Sequence, residues 1–213
     1  MSVARDHVRS PREAIGMGLG LGHQDRLTEF AGEVFFEMRD TQTGEVIFTD
    51  HRKNVITLDA GILAAMLFKN PSSRLNGANM LAVGTGGIGA PPAAPTAYQR
   101  SLNNELTRKP WSSTTFRDSM GAAVAIPTNI VDFTCTYTES EAVGALNEMG
   151  ILATVSTNPL TKYPNTNNPP AARDTSIDVA GPPGKDILVN YLTFPQINKP
   201  NTATLAITWR ITF

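Results

Sequence analysis

The sequence predicts a mainly β protein: an antiparallel, jelly-roll-like β-sandwich with one or two short helices and an extended N-terminal arm. Three observations carry this. The C-terminal run TATLAITWRITF places Leu205, Ile207, Trp209, Ile211 and Phe213 on one side and Thr204, Ala206, Thr208, Arg210 and Thr212 on the other, the period of a strand with one dry face. Similar short runs recur along the chain between clusters of Gly, Pro, Asn and Ser. With 213 residues, 41% hydrophobic and 17% charged, the chain is long enough for one substantial core and short for two.

Taken in order, residues 1–30 differ from the rest. Their cations are all arginine, Arg5, Arg9, Arg12 and Arg26, joined by His7 and His23, and GMGLGLG is too glycine-rich to hold a helix or strand by itself. With Ile15, Met17 and Leu19 among its apolar residues, the segment reads as an assembly arm lying on another surface, and residues 31–213 as the sandwich domain. Fully extended, thirty residues reach about 100 Å.

GEVFFEMRD, a turn at Gly44 and EVIFTD form a hairpin. NVITLDAGILAAMLFKNP changes period: Leu58, Ile62, Ala65 and Met66 recur at helical spacing, Thr57 or Asp59 caps the start and Pro71 follows the end. ANMLAVG is a short apolar strand. TAYQRSLNNELTR is read as a second helix, with Tyr98, Leu102 and Leu106 along one side and Pro110 closing it. Further strands are expected near 113–118, 121–126, 129–138, 145–154, 186–194 and 203–213. Residues 156–186 carry loop chemistry, and loops of that length are usually functional or ordered by a partner.

The formal net charge of −1 argues against a nucleic-acid binder, which needs a concentrated positive field. No stretch approaches the ~20 apolar residues that cross a bilayer, and no signal-peptide core is visible, so synthesis in a cytoplasm is expected. The lone Cys135 sits in an alternating run with Val131, Phe133 and Tyr137, which predicts an inert core thiol.

GTGGIG matches G-x-G-x-x-G at Gly84, Gly86 and Gly89, but Pro91, Pro92 and Pro95 stall the helix that a dinucleotide site requires, leaving a tight loop. His7, His23 and His51 lack metal-ligand spacing, GKD at 184–186 fails the phosphate-loop pattern, and no cofactor is expected. Glu139 and Glu141 read as a solvated turn, and His51 to Lys53 as a solvated edge. Glu148 stands within an apolar run, ALNEMGILAT, so it is either outward facing or paired, with Arg108, Lys162 and Lys199 as mates.

The succession NVIT, LAVGTG, LNNELTRKP, TESEAVGALNEMGIL and INKPNTATLAITWRITF, spanning roughly residues 54–213, resembles β-rich structural modules of tailed-bacteriophage virions, particularly tail-collar fibre and related attachment domains. In those, a G-x-G loop, an L-x-x-E-x-x-R helix and an E-x-G-[IL] strand precede a terminal W-x-[IV]-x-F strand. The resemblance implies Gly84 and Gly86 in the loop, Leu102, Glu105 and Arg108 as helix positions holding the sheet, Glu148 and Gly150 on the facing strand, and Trp209 in the last strand. It implies no catalytic residue. A fibre anchor leads into a shaft or tip, whereas this sequence closes at Phe213, so a fitting is expected rather than a fibre.

The expectation is therefore a non-enzymatic virion structural protein, made in a host bacterial cytoplasm. It would dock on the particle as a capsid cement or decoration protein, bind the major capsid protein or neck and tail proteins, and form a homo-oligomer, the family suggesting a trimer. A collar, neck or baseplate component or tail-fibre adaptor is the alternative placement. A glycan-binding or glycan-cleaving β-sandwich, with Trp111, Tyr163 and Tyr191 around a groove and carboxylates inside it, is the rival of another class.

Overall fold

A computed structural model describes residues 31–61, 63, 77–87, 93–154, 158, 160 and 186–212. Eleven strands run through these residues: β1 Ala31–Asp40, β2 Val46–Lys53, β3 Val55–Ile56, β4 Met80–Gly84, β5 Glu105–Pro110, β6 Ser113–Arg117, β7 Ala123–Val124, β8 Ile130–Tyr137, β9 Gly144–Ala153, β10 Ile187–Lys199 and β11 Ala203–Thr212. They build two antiparallel sheets packed face to face, ordered β2-β1-β11-β8-β6-β7 and β3-β10-β9-β4-β5.

The C-terminal alternation sets the first sheet. Ala203, Leu205, Ile207, Trp209 and Ile211 are buried while the residues between them are half exposed, and each such apolar side chain contributes ~1.5–3 kcal/mol on burial. Phe213 lies outside the described residues. β1 and β8 flank β11 in register, Val34 opposite Trp209 and Cys135 opposite Ile207. Val34, Phe36, Met38, Cys135 and Tyr137 therefore join the same core. The second sheet answers with Met149, Ile151 and Phe194, the last packed edge-on against Phe36 at 5.2 Å between ring centres.

Two polar links cross the layers. Tyr137 donates its hydroxyl to the Leu81 carbonyl at 2.9 Å. The Asn190 oxygen accepts from Trp209 Nε1 at 3.2 Å and Asn54 Nδ2 at 2.7 Å. Buried donors need such partners, and here the partners also fix the sheets relative to each other.

The second sheet is buried on both faces. Met80, Ala82, Leu102, Leu152, Leu188 and Tyr191 form a smaller cluster on its outer side. Every residue of β4 is buried in consequence, as is most of β9. This explains why MLAVG and MGILA read as unbroken apolar runs instead of alternating ones.

Two expectations need correction. Residues 105–108 are not helical: the segment read as a second helix passes through a turn at 97–98 and enters β5, which pairs with β4. Tyr98 and Leu106 are exposed and only Leu102 is buried, so their four-residue spacing is coincidental. The first helix does begin at Leu58, but Leu58 is exposed and Leu63 buried; Ile62, Ala65 and Met66 lie outside the described residues. Thr57 does not cap it by its side chain, because the hydroxyl donates to the carbonyls of Leu188 (2.5 Å) and Val189 (2.9 Å).

Candidate functional site

The short motifs that stood apart in the sequence meet on the outer face of the second sheet. β4 lies between β9 and β5, and Gly84 is the register partner of both Glu148 and Glu105. The chain leaving β4 through Thr85, Gly86 and Gly87 therefore crosses directly over the middle of β9. The 99–104 segment lies against it, with Thr85 N donating to Asn104 O at 3.0 Å.

Glu148 sits beneath both segments with no exposed surface. Oε1 accepts from Gly86 N (3.0 Å) and Asn104 N (2.7 Å); Oε2 accepts from Asn103 N (2.9 Å) and the Tyr191 hydroxyl (2.7 Å). The expected mates Arg108 and Lys199 do not reach it, and Lys162 lies outside the described residues. Glu148 is neither outward facing nor ion-paired: three backbone N–H dipoles and a phenol meet its charge, an arrangement that stabilises a buried carboxylate without a cation. Burial, and then the adjoining carboxylate, push the Tyr191 phenol well above its ordinary pKa.

The glycines make this approach fit. A Cβ on Gly86 would stand 2.3 Å from Asn104 N and 2.6 Å from the Glu148 carboxylate, and one on Gly150 would stand 2.5 Å from a Leu188 methyl carbon and 2.8 Å from Asn190 O. Beside the knot, Asn147 and Gly87 bond reciprocally at 2.8 and 3.0 Å. Asn103 Nδ2 donates to Gly86 O and to the Tyr191 hydroxyl, both at 3.2 Å.

Arg108 closes the lower side. A bulge leaves Leu106 without a partner, since Val83 faces Thr107 and Gly84 faces Glu105, and the extra residue turns Glu105 onto the face of Arg108. The buried guanidinium grips both Glu105 oxygens at 2.6 and 2.7 Å and bonds Asp186 at the entrance of β10. Burial alone would lower its pKa; the two carboxylates outweigh that and hold it above the ordinary value.

Of the residues singled out in the sequence, Gly84, Gly86, Leu102, Glu105, Arg108, Glu148 and Gly150 thus belong to one assembly, while Trp209 lies apart in the inter-sheet core. Arg5, Arg9, Arg12, Ile15, Met17, Leu19 and Arg26 lie outside the described residues. Sequence reasoning missed Tyr191, Asn103, Asn104 and Asp186 as partners. It also missed Asp132 on the outer face of the first sheet, held by Arg117 (2.8 Å) and Arg210 (2.7 and 2.9 Å).

Other expected positions resolve differently. Glu141 is pinned by Lys109 at 2.6 Å and Thr138 N at 2.8 Å and is not merely a solvated turn residue. Lys199 is buried and donates to Thr138 O at 2.8 Å. The aromatic groove is not formed by the two described aromatics proposed for it. Tyr191 is buried, and Trp111 donates to Ala78 O at 2.7 Å while packing on Phe133; Tyr163 lies outside the described residues. Among the described residues no group of three His, Cys, Asp or Glu side chains could hold a metal, and no helix is long and apolar enough to cross a membrane.

Fold and site together define an antiparallel β-sandwich whose most elaborate polar cluster is turned inward to tie loops to a sheet. Comparison with protein-family models, curated proteins and solved structures finds no match for the chain.

Proposed function

We propose that the chain is a non-enzymatic structural protein of a tailed-phage virion, docking on the particle as a capsid cement or decoration protein through residues 1–30 and the sandwich. One observation carries the reading. Three of the motifs on which the resemblance rests, lying between residues 84 and 150, meet around Glu148, although the second of them runs into strand β5 instead of forming a helix and the terminal strand with Trp209 lies apart. A knot with its donors turned inward gives a rigid module, and rigidity lowers the entropic cost of joining a lattice.

The outer face of the first sheet suits such work. Thr208 and Thr134 bond across β11 and β8 at 3.1 Å, with Ser113 and Thr115 of β6 beside them in register. Short hydroxyl side chains lose little rotamer entropy when covered, and a nearly neutral surface does not repel copies of itself.

The test is incorporation. Purified virions from an infection with the intact gene should contain the chain in a fixed ratio to the major capsid protein by quantitative mass spectrometry, and chains lacking residues 1–30 should fold yet be absent from particles. Absence of the intact chain from virions, or unchanged incorporation of the shortened one, would overturn the reading. Labelling at the neck or tail instead of the capsid shell would move the protein to the collar or baseplate.

A further inference from the structure

The charges on the outer face of the first sheet fall into an ordered row. Lys53, Glu33, Arg210 and Asp132 are register partners in that order, so the sign alternates strand by strand from β2 to β8. Arg210 directs Nε and Nη2 to Asp132, and its Nη1 makes no hydrogen bond among the described residues. Glu33, its side chain 36% exposed, stands 3.7 Å from His51 Nε2, too far for a hydrogen bond. The rows beside it are mostly uncharged: Phe35, Thr208 and Thr134 in one, Thr49, Ala206 and Thr136 with Glu37 in the next.

Such a row is its own complement. A two-fold axis parallel to the strands, passing between β1 and β11, sets Glu33 over the partner's Arg210 and Lys53 over the partner's Asp132, each twice. Under the same operation Phe35 meets Thr208, Thr49 meets Thr136 and Glu37 meets Ala206, so no like charges are brought together. Arg117, on β6, falls beyond the overlap. Other axes fail: one lying on β11 stacks Arg210 on its own copy and Glu33 on Asp132, and one running across the strands at Phe35 stacks Glu33 on Glu37. Like charges held face to face cost several kcal/mol, so the pattern selects one docking.

The face also fits a second copy better than another kind of partner. Its cations and anions nearly balance, which leaves no net field to hold a nucleic acid or a strongly acidic surface. Growth through the β2 edge is opposed instead, because Asp50 and Arg52, bonded at 2.6 Å, share the inner side of that strand with Phe36 and Val34, and inward charges keep an edge from pairing. The four overlapping strands measure about 19 Å by about 30 Å, close to the ~600 Å² per partner at which stable interfaces begin.

We infer that two copies pack through these outer faces as an isologous dimer, with the two-fold axis parallel to the strands between β1 and β11, in place of the trimer that the resemblance suggests. The inference deepens the assembly reading above but stands on this face and not on residues 1–30.

The test uses the purified full chain at tens of micromolar. Sedimentation equilibrium should give twice the 22.9 kDa of one chain. Glu33→Arg, which sets two arginines against each other on both sides of the axis, should weaken association at least tenfold, whereas Glu45→Arg, in the exposed β1–β2 turn, should leave it unchanged. Cross-linking keeps the inference testable should Glu33→Arg fail to fold. One preparation carries Thr49→Cys and a size tag, the other Thr136→Cys; the native Cys135 is buried. Packed sheets lie about 10 Å apart, so a thiol cross-linker of that span should join the mixed pair and give few dimers of either variant alone. A monomer or a trimer would overturn the inference. So would a dimer that Glu33→Arg weakens no more than Glu45→Arg does, or like-with-like cross-links as abundant as mixed ones. No phage particle is involved, so this outcome and the incorporation result can fail separately.

Discussion

Tyr191 donates its hydroxyl to Glu148 at 2.7 Å, joining β10 to β9 through a carboxylate that also holds Gly86, Asn103 and Asn104. Tyr191→Phe removes one of four donors and is expected to cost ~1–3 kcal/mol. Glu148→Gln keeps the shape but turns an NH2 group toward N–H donors, so its loss in urea denaturation should exceed that of Tyr191→Phe. Equal losses would mean that the phenol, and not the backbone amides, dominates the knot.

Gly86→Ala and Gly61→Ala should have opposite signs. The first places a methyl group against Asn104 N and Glu148 and should destabilise by at least ~2 kcal/mol. The second adds a methyl group in open space on an exposed helical position, where it should stabilise by up to ~1 kcal/mol. Thermal melts of the two variants check both signs against one reference.

These two sites also mark how far the sequence could be read. Period-two burial was visible because β11 has one core face and one solvent face, and the β1–β2 hairpin because Gly44 interrupts two alternating runs. β5 was hidden by Tyr98, Leu102 and Leu106, whose spacing mimics a helix face, and by the bulge at Leu106 that breaks the strand period. Glu148 stood out as a carboxylate in an apolar run, but three of its four partners are backbone N–H groups, which leave no mark in side-chain identity. In the sequence Tyr191 reads as an aromatic lining a glycan groove, because nothing in its strand marks the carboxylate that its hydroxyl meets.

Arg210→Ala should matter less than Trp209→Ala. Trp209 is fully buried and holds Asn190, so truncation is expected to cost ~3–5 kcal/mol. Arg210 lies on the outer side, over the Phe35 ring at 5.5 Å and bonded to Asp132. Its loss leaves Asp132 with Arg117, for an expected ~1–2 kcal/mol. Comparable losses in thermal melts would overturn the strand register.

Asp132 makes the outer face acid-sensitive. Burial would raise its pKa, but Arg210 and Arg117 outweigh that and hold it below the usual carboxylate value of 3.8. The unfolded chain therefore takes up this proton at higher pH than the folded one. The contribution is fully present above the unfolded value and is lost as pH falls through the folded one. Asp132→Asn should be less stable at neutral pH and lose less on acidification, measured as urea midpoints from pH 6 downward.

Cys135 supplies the complementary alkaline prediction. Burial, only partly offset by Tyr137 and Lys109, pushes its thiol from an ordinary 9.0 to about 12. The unfolded chain ionises first, so stability should fall as pH rises from about 9 toward the folded value, and Cys135→Ala should reduce that fall. The same burial means that a thiol reagent at pH 8 can reach the sulfur only after the sheets part. The labelling rate should therefore follow the opening equilibrium, slowing when the knot is intact and accelerating in Glu148→Gln in proportion to the stability lost. Rapid labelling of the folded chain, with no dependence on that substitution, would show that the inter-sheet core at β8 opens independently of the knot.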